Sequence, residues 1–208
     1  MSCRVKICGI TNLEDALIAC HHGADALGFV FYSKSPRYIS PEAANAILDQ
    51  LPPFIVPVAL FVDAQRDFID SVLVGSSRWI IQFHGNESDA ECASYKRCFY
   101  KALRVKAGDD ISSLVDDYPN AAAILLDAYK EGVPGGTGDV FDWSLIPSEL
   151  SKPLVLAGGL SPENVQAAIE RVSPYAVDVS GGVEQSKGIK SKKKVQRFIE
   201  LVKTAYSL

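Results

Sequence analysis

A thiol and a carboxyl group, far apart in the sequence, each end a short apolar segment of the chain. Cys8 stands at the Cys-Gly turn where the strand of the Lys6–Thr11 segment ends, and Asp127 ends the segment that begins at Ile124. A thiolate can remove a proton and a carboxylic acid can deliver one, so the pair is a candidate base and acid for a single substrate. The carboxyl ends of strands carry the chemistry in parallel α/β folds, and we therefore expect both residues to face one site.

Two glycine pairs late in the chain indicate a phosphate site. Gly158 and Gly159 follow one predicted strand, and Gly181 and Gly182 follow the last one, after Ser180. Glycines let backbone N–H groups approach a phosphate, and a helix N-terminus adds a partial positive charge. Each pair alone could be a tight turn. Because the loops after strands seven and eight of a (β/α)8 barrel often bind phosphate, a phosphate is the better interpretation of both together.

Further polar residues stand near other predicted strand ends. Arg37 follows the second strand, and its guanidinium suits a carboxylate, although a solvent-facing arginine would have the same local sequence. Gln82 and His84 alternate onto one side of the fourth strand, which in a barrel can be the inside. His84 could contact a ligand or form a structural hydrogen bond. Asp63 ends the third strand and could instead cap the next helix.

The elements that position these residues form a regular alternation of apolar and amphipathic segments. The apolar segments are short, often β-branched, and do not alternate with polar residues, which is typical of strands covered on both faces in a parallel sheet. The predicted strands are Val5–Ile10, Ala26–Tyr32, Val56–Val62, Ile80–His84, Phe99–Val105, Ala123–Asp127, Leu154–Gly158 and Ala176–Ser180. With about eight connecting helices they predict an α/β fold, a single (β/α)8 TIM barrel of eight parallel strands over residues 1–208. A doubly wound open sheet is the alternative.

Capping residues mark several of the predicted helices. Asn12 can begin one that Gly23 ends, and Ser40 and Ser161 each precede a proline suited to the first helical position. The last helix is predicted over Lys190–Ala205.

Two glycine- or lysine-rich segments have plain interpretations. The connection from Ala128 to Pro147 is glycine-rich and has only a short helical candidate, near Trp143. The basic run Lys187–Lys194 opens an amphipathic helix, so a solvated face is a better interpretation than nucleic-acid binding.

The composition bounds the class of protein. The chain has 208 residues, and its formal net charge of -4 gives no global attraction to nucleic acid or to an anionic membrane. Five cysteines without metal-ligand spacing predict reduced thiols in a cytoplasmic protein. The N-terminus lacks the apolar core of a signal peptide, and no apolar run is long enough to span a membrane. The short compact chain favours a monomer over a homodimer.

Taken in order along the chain, these segments resemble the phosphoribosylanthranilate isomerase family of tryptophan biosynthesis. The resemblance covers essentially the whole chain, and its first segment is a specific signature. The segments are Lys6–Thr11, Gly28–Phe31 leading to Ser35–Arg37, Gln82–Gly85, Leu126–Asp127, Gly135–Gly138 with Phe141–Trp143, Ala157–Leu160 and Asp178–Ser180.

The resemblance implies an Amadori rearrangement of N-(5′-phosphoribosyl)anthranilate to the 1-deoxyribulose 5-phosphate, with no cofactor and no metal. By similarity, Asp127 is the general acid that opens the ribose ring and Cys8 is the general base. Arg37 would bind the anthranilate carboxylate. The glycines would hold the phosphate of the small-molecule substrate, and Asp178 and Glu184 would be secondary members of the site.

The chain departs from the family in small ways. Family members often read Ser-Ser-Gly after the eighth strand, whereas this chain has Gly181 after Ser180, which removes one hydroxyl near the phosphate. Phe83 replaces a commoner leucine. Another sugar-phosphate isomerase, or an indole-glycerol phosphate synthase, would be expected to carry an acidic residue or lysine in place of Cys8. A non-catalytic phosphate-binding barrel is the alternative from a different class, and the intact pair of Cys8 and Asp127 argues against it.

Overall fold

Eight parallel strands close into a barrel in chain order, because the first strand pairs with both the second and the eighth. The computed structural model describes residues 3–106, 108–127 and 143–205. The strands are β1 (Arg4–Cys8), β2 (Ala26–Val30), β3 (Val56–Phe61), β4 (Ile80–Phe83), β5 (Phe99–Arg104), β6 (Ile124–Asp127), β7 (Leu154–Ala157) and β8 (Ala176–Val179). This closure confirms the predicted barrel and excludes the open sheet. All eight predicted strands are present, and most end one or two residues early.

Seven α-helices pack around the barrel within the described residues. They are α1 (Leu13–His22), α2 (Pro41–Leu48), α3 (Arg66–Leu73), α4 (Asp89–Ala93), α5 (Ile111–Asp116), α6 (Val165–Val172) and α7 (Lys192–Thr204). The sixth connection ends in a short 3-10 turn at Trp143–Leu145, as predicted. The earlier part of that connection, including Gly135–Gly138, lies outside the described residues.

The predicted caps of the first two helices are present. The Asn12 side chain accepts a hydrogen bond of 2.8 Å from the Asp15 backbone N–H and begins α1. Gly23 ends α1 with a φ of 96°, in the left-handed region that favours glycine. Ser40 accepts from the backbone N–H of Ala43 and begins α2.

The predicted start of the helix after β7 is wrong. α6 begins at Val165, after a turn in which the Ser161 backbone N–H donates to the Asn164 side chain at 2.9 Å. The Ser161 hydroxyl accepts from the nearby Glu163 N–H at 3.3 Å and also hydrogen-bonds to the Glu163 carboxylate. This serine thus stabilises a loop turn at the end of β7 and is not the cap of the helix.

The predicted start of the last helix is also wrong, because an antiparallel hairpin precedes α7. Its strands are β9 (Glu184–Ser186) and β10 (Ile189–Lys190). The Thr11 hydroxyl donates to the Gly188 carbonyl at 2.6 Å, and the Lys190 backbone N–H donates to the Asp15 carboxylate at 2.8 Å. These bonds attach the hairpin to the loop after β1 and to α1.

Two apolar layers hold the barrel together. The larger lies between the strands and the helices and includes the buried rings of Phe29, Phe61 and Phe83. The smaller fills the inside of the barrel with residues such as Val58 and Leu125. The interior apolar layer is small. Polar side chains occupy the rest of the barrel interior.

We expect Phe61→Ala to lower the free energy of unfolding by about 3–5 kcal/mol, since it leaves a cavity in the layer beneath the helices. Phe61 is inaccessible to solvent and stacks on Phe31 with ring centroids 5.4 Å apart. Phe54→Ala is the matched control, because the Phe54 ring is 95% exposed and its loss should change stability little. Urea unfolding measures both, and equal effects would contradict this account of the core.

Candidate active site

A buried ion pair lies inside the barrel where β1 meets β8. Lys6 and Asp178 are register partners, and the Lys6 ammonium donates to the Asp178 carboxylate at 3.0 Å. Burial alone would lower the pKa of Lys6, but the Asp178 carboxylate together with Cys8 and Tyr100 outweighs it and raises that pKa well above its ordinary value. Lys6 therefore stays charged. Its ammonium also interacts with the Cys8 thiol and the Tyr100 hydroxyl.

The predicted base, Cys8, ends β1 and is only 5% exposed. Burial raises the pKa of this thiol above its ordinary value of 9.0. The ammonium groups of Lys6 and Lys190 lower the pKa of Cys8 in part, and the Asp178 carboxylate raises it again. A nearby cation favours the thiolate of a cysteine. Two cations are present, but desolvation outweighs them, and the thiol form of Cys8 dominates at neutral pH.

The predicted acid, Asp127, ends β6 on the same face of the barrel as Cys8. Its carboxylate lies 3.3 Å from His84 Nε2, and His84 Nδ1 lies 3.1 Å from the Gln82 amide nitrogen. The Gln82 amide oxygen accepts from the Tyr100 hydroxyl at 2.9 Å. This arrangement makes Nδ1 an acceptor, so that the ring proton is on Nε2 and faces Asp127.

A chain of polar contacts thus crosses the barrel between the predicted acid and the predicted base. Distances within hydrogen-bond or ion-pair range join Asp127 to Tyr100 through His84 and Gln82. The Lys6 ammonium interacts electrostatically with both the Tyr100 hydroxyl and the Cys8 thiol. Both Gln82 and Tyr100 are buried. The contacts from Asp127 to Tyr100 fix the orientation of the polar groups along this path, and such preorganisation favours acid–base catalysis.

A second cluster of charges lies beside the loop after β8. Glu184 accepts two hydrogen bonds from Arg37, at 2.7 Å from Nε and 2.8 Å from Nη2. The ammonium of Lys190 donates to the same carboxylate at 3.0 Å. Burial would raise the pKa of Glu184, but these bonds from Arg37 and the charge of Lys190 lower it, so Glu184 is ionised. Donating these hydrogen bonds to the Glu184 carboxylate raises the pKa of Arg37.

The two glycine pairs end neighbouring strands and belong to loops that touch. Gly158 and Gly159 have φ angles of 81° and 70°, which favour glycine at both positions. A Cβ on Gly182 would overlap the Leu160 carbonyl oxygen, so the β7 and β8 loops can pack together only with glycine there. Next to them, the buried Ser180 hydroxyl has no hydrogen-bond partner in the described part of the chain. An unpaired buried hydroxyl beside small residues suits a bound anion.

The chain is similar in sequence to one family of enzymes over almost its whole length. The family model of N-(5′-phosphoribosyl)anthranilate isomerase matches residues 5–201. A curated N-(5′-phosphoribosyl)anthranilate isomerase of Marinomonas sp. strain MWYL1 is 71% identical over 96% of this chain and 97% of its own. The chain belongs to this family.

Two solved structures of the family superpose closely. One is a phosphoribosyl anthranilate isomerase in complex with reduced 1-(o-carboxyphenylamino)-1-deoxyribulose 5-phosphate, at 43% identity and a TM-score of 0.86, with 97% of this chain and 98% of that chain covered. The other is a monomeric form of the dimeric isomerase of Thermotoga maritima, at 42% identity and a TM-score of 0.85, with the same coverage.

Within this isomerase barrel, the predicted site residues collect at the C-terminal ends of the strands. Sequence reasoning missed Lys6 and Tyr100, although a lysine in an otherwise apolar strand, two residues before Cys8, was a usable signal. It also misassigned Lys190, which lies buried in β10 and not on a solvated helix face. No local pattern distinguishes Lys190 from the exposed lysines around it, because only the hairpin turns it inward.

The described residues hold neither a metal-binding cluster nor a membrane-spanning helix. No group of three or more His, Cys, Asp or Glu side chains among them could hold a metal ion. None of the helices in residues 3–106, 108–127 and 143–205 has the length and apolar character to cross a bilayer.

We expect Cys8 in the ligand-free enzyme to react with iodoacetamide slowly at neutral pH and to reach its half-maximal rate above pH 9.0, because burial raises its pKa. Thiolate is the reactive form, so the rate rises with pH through that pKa. The exposed, free Cys98 is the internal control and should react first. Peptide-resolved mass spectrometry follows both, and faster labelling of Cys8 than of Cys98 at pH 7 would contradict the expectation.

Proposed function

We propose that this chain converts N-(5′-phosphoribosyl)anthranilate to 1-(2-carboxyphenylamino)-1-deoxyribulose 5-phosphate, with Asp127 as acid and Cys8 as base. Membership of the isomerase family supports the reaction. The path of polar groups that joins Asp127 to Cys8 through the inside of the barrel is the observation that carries the two assignments. A proton leaves the substrate at one atom and enters at another, and this site offers one group for each transfer.

The acid step would take place at Asp127. In its protonated form Asp127 gives its proton to the ribose ring oxygen, the bond from that oxygen to the first ribose carbon breaks, and a Schiff base with the anthranilate nitrogen results. His84 holds the carboxyl group from one side, since its Nε2 lies 3.3 Å away. The side chain of Asp127 is 27% exposed, which leaves it open to a substrate above the barrel.

The base step would take place at Cys8. The thiolate removes the proton from the second ribose carbon, the electron pair moves to the Schiff base nitrogen, and the resulting enol tautomerises to the ketone. Lys6 and Lys190 lower the pKa of the thiol, and they therefore favour the thiolate at the moment when it is needed. Desolvation of the buried thiol raises its pKa and opposes the two lysines. The balance of these effects sets the fraction of Cys8 that is thiolate.

Binding would involve both loops and the arginine. The phosphate would lie against Gly158, Gly159, Gly181 and Gly182, where the unpaired Ser180 hydroxyl offers a donor. Arg37 would face the anthranilate carboxylate. Its side chain is 26% exposed, so that part of the guanidinium is open to a ligand.

Turnover of phosphoribosylanthranilate, followed by loss of its fluorescence, tests the two proton-transfer groups. We expect Cys8→Ala and Asp127→Asn each to lower kcat by about 10²–10⁴-fold, with a much smaller change in KM. Cys98→Ala and Asp117→Asn are matched controls at exposed positions and should retain activity. Near-wild-type turnover in either site variant would remove that residue from the mechanism. If the wild type binds the phosphorylated product analogue without any turnover, the chain is a non-catalytic binding barrel.

We expect Arg37→Ala to raise KM by about 10-fold or more with a smaller change in kcat, because a bidentate charged contact to the carboxylate is lost. Arg197→Ala removes the same charge from the exposed face of α7 and is the control. Steady-state kinetics at fixed ionic strength measure both. An unchanged KM in Arg37→Ala would contradict the carboxylate contact.

The remaining proposals concern the state of the whole protein. We propose one barrel domain over residues 1–208 and a cytoplasmic location, which the five free thiols favour. The preference for a monomer stays a prediction that light scattering in solution would test.

A further inference from the structure

Lys190 is a buried cation next to the proposed carboxylate site. Its side chain is inaccessible to solvent, and its ammonium donates to the Glu184 carboxylate at 3.0 Å and to the Ser180 carbonyl at 3.2 Å. Burial lowers the pKa of Lys190, while the charge of Glu184 opposes that effect. Two acceptors in contact with the nitrogen are what a protonated amine requires.

The charges of this cluster do not cancel. Arg37 and Lys190 each contribute one positive charge, and Glu184 contributes one negative charge, so that the cluster carries a net charge of +1. Arg37 and Glu184 alone would form a neutral pair. A buried neutral pair attracts an anion weakly, because the field of the carboxylate opposes that of the guanidinium at short range.

The guanidinium keeps donors for a ligand. Arg37 uses Nε and one N–H of Nη2 for Glu184, and a guanidinium has five N–H groups in all. Of the cluster, Arg37 is the most exposed side chain, at 26%, against 5% for Glu184. Glu184 thus orients the guanidinium, and the excess positive charge reaches the substrate through Arg37 alone.

We propose that Lys190 is a positioning residue for substrate binding: by neutralising Glu184 it lets Glu184 hold Arg37 in place without cancelling the charge that attracts the substrate carboxylate. This inference rests on the proposed function, in which Arg37 faces that carboxylate. The proposal also assigns a role to the β9–β10 hairpin, because the hairpin pairs Lys190 with Glu184 and turns the lysine inward.

Lys190→Met is the direct test. We expect it to weaken binding of reduced 1-(o-carboxyphenylamino)-1-deoxyribulose 5-phosphate by about 10- to 100-fold, as expected for the loss of one charge at short range in a partly buried site. KM should rise in parallel while kcat changes much less. Lys190→Arg should rescue binding. Lys187→Met is the matched control, since Lys187 is an exposed lysine in the same hairpin and its loss changes the net charge equally.

A double variant separates charge from structure. Lys190→Met with Glu184→Gln restores the net charge of +1, and it removes both members of the buried pair together, which folded proteins tolerate better than loss of one. We expect it to bind the analogue more tightly than Lys190→Met does and to recover part of the loss, because the amide oxygen introduced by Glu184→Gln can still accept a hydrogen bond from Arg37. If the double variant binds no better than the single one, the role of Lys190 is structural and the proposal is wrong.

An analogue without the carboxylate completes the test. The phenylamino counterpart, measured by calorimetry, should lose little affinity in Lys190→Met, because only the phosphate and sugar contacts remain. Equal losses for both analogues would overturn the proposal, since Lys190 would then act on the phosphate through Ser180. If the wild type itself binds both analogues equally, the contact between Arg37 and the carboxylate fails, and that outcome rejects the proposed binding mode before Lys190 is considered.

Discussion

The buried ion pair between Lys6 and Asp178 is the interaction on which the rest of the site depends. The two residues are 172 positions apart in sequence and meet only because the barrel closes between β1 and β8. Two charges inside a barrel are costly to desolvate, and each is tolerable only because the other is there. The Lys6 ammonium interacts with Cys8 on one side and with Tyr100 on the other. Through Tyr100, the polar path continues to Asp127.

The same barrel uses charge in a second way at the mouth of the site. Inside, Lys6 and Asp178 balance, so the polar chain lies in a nearly neutral interior. Beside the β8 loop, Arg37 and Lys190 outnumber Glu184, and the surplus is positive. This difference matches the two tasks of the proposed reaction, because proton transfer needs a controlled pKa while binding of a substrate with a carboxylate and a phosphate needs attraction.

Desolvation limits how far electrostatics can activate the base. Cys8 has two ammonium groups acting on it, yet burial leaves its pKa raised. A sequence can show that cations are near a thiol, but the sign of the shift depends on how completely the fold excludes water. The pKa of this cysteine is therefore a property of the packed barrel and not of the Lys6–Thr11 segment.

Much of the fold and of the site could be predicted from local pattern. Strand length, β-branched apolar segments and the caps at Asn12 and Ser40 are decided by neighbours a few residues away, and they specified eight strands and their order. The motif residues Cys8, Asp127 and the glycine pairs followed, because parallel strands place their carboxyl ends on one face. Lys190 and the start of α6 were mispredicted. In both places a local pattern favoured a helix, and contacts with distant residues decided otherwise.

By itself, the sequence determined the barrel, the family and the residue types at the strand ends. Only the tertiary structure decided their partners: the hydrogen bonds of Arg37 with Glu184, 147 positions away, the burial of Lys190, and the raised pKa of Cys8. The physical reason is the sequence distance over which each interaction acts. Periodicity and capping act over one turn or one strand, whereas solvation and ion pairing depend on every group that the closed barrel brings within a few ångströms.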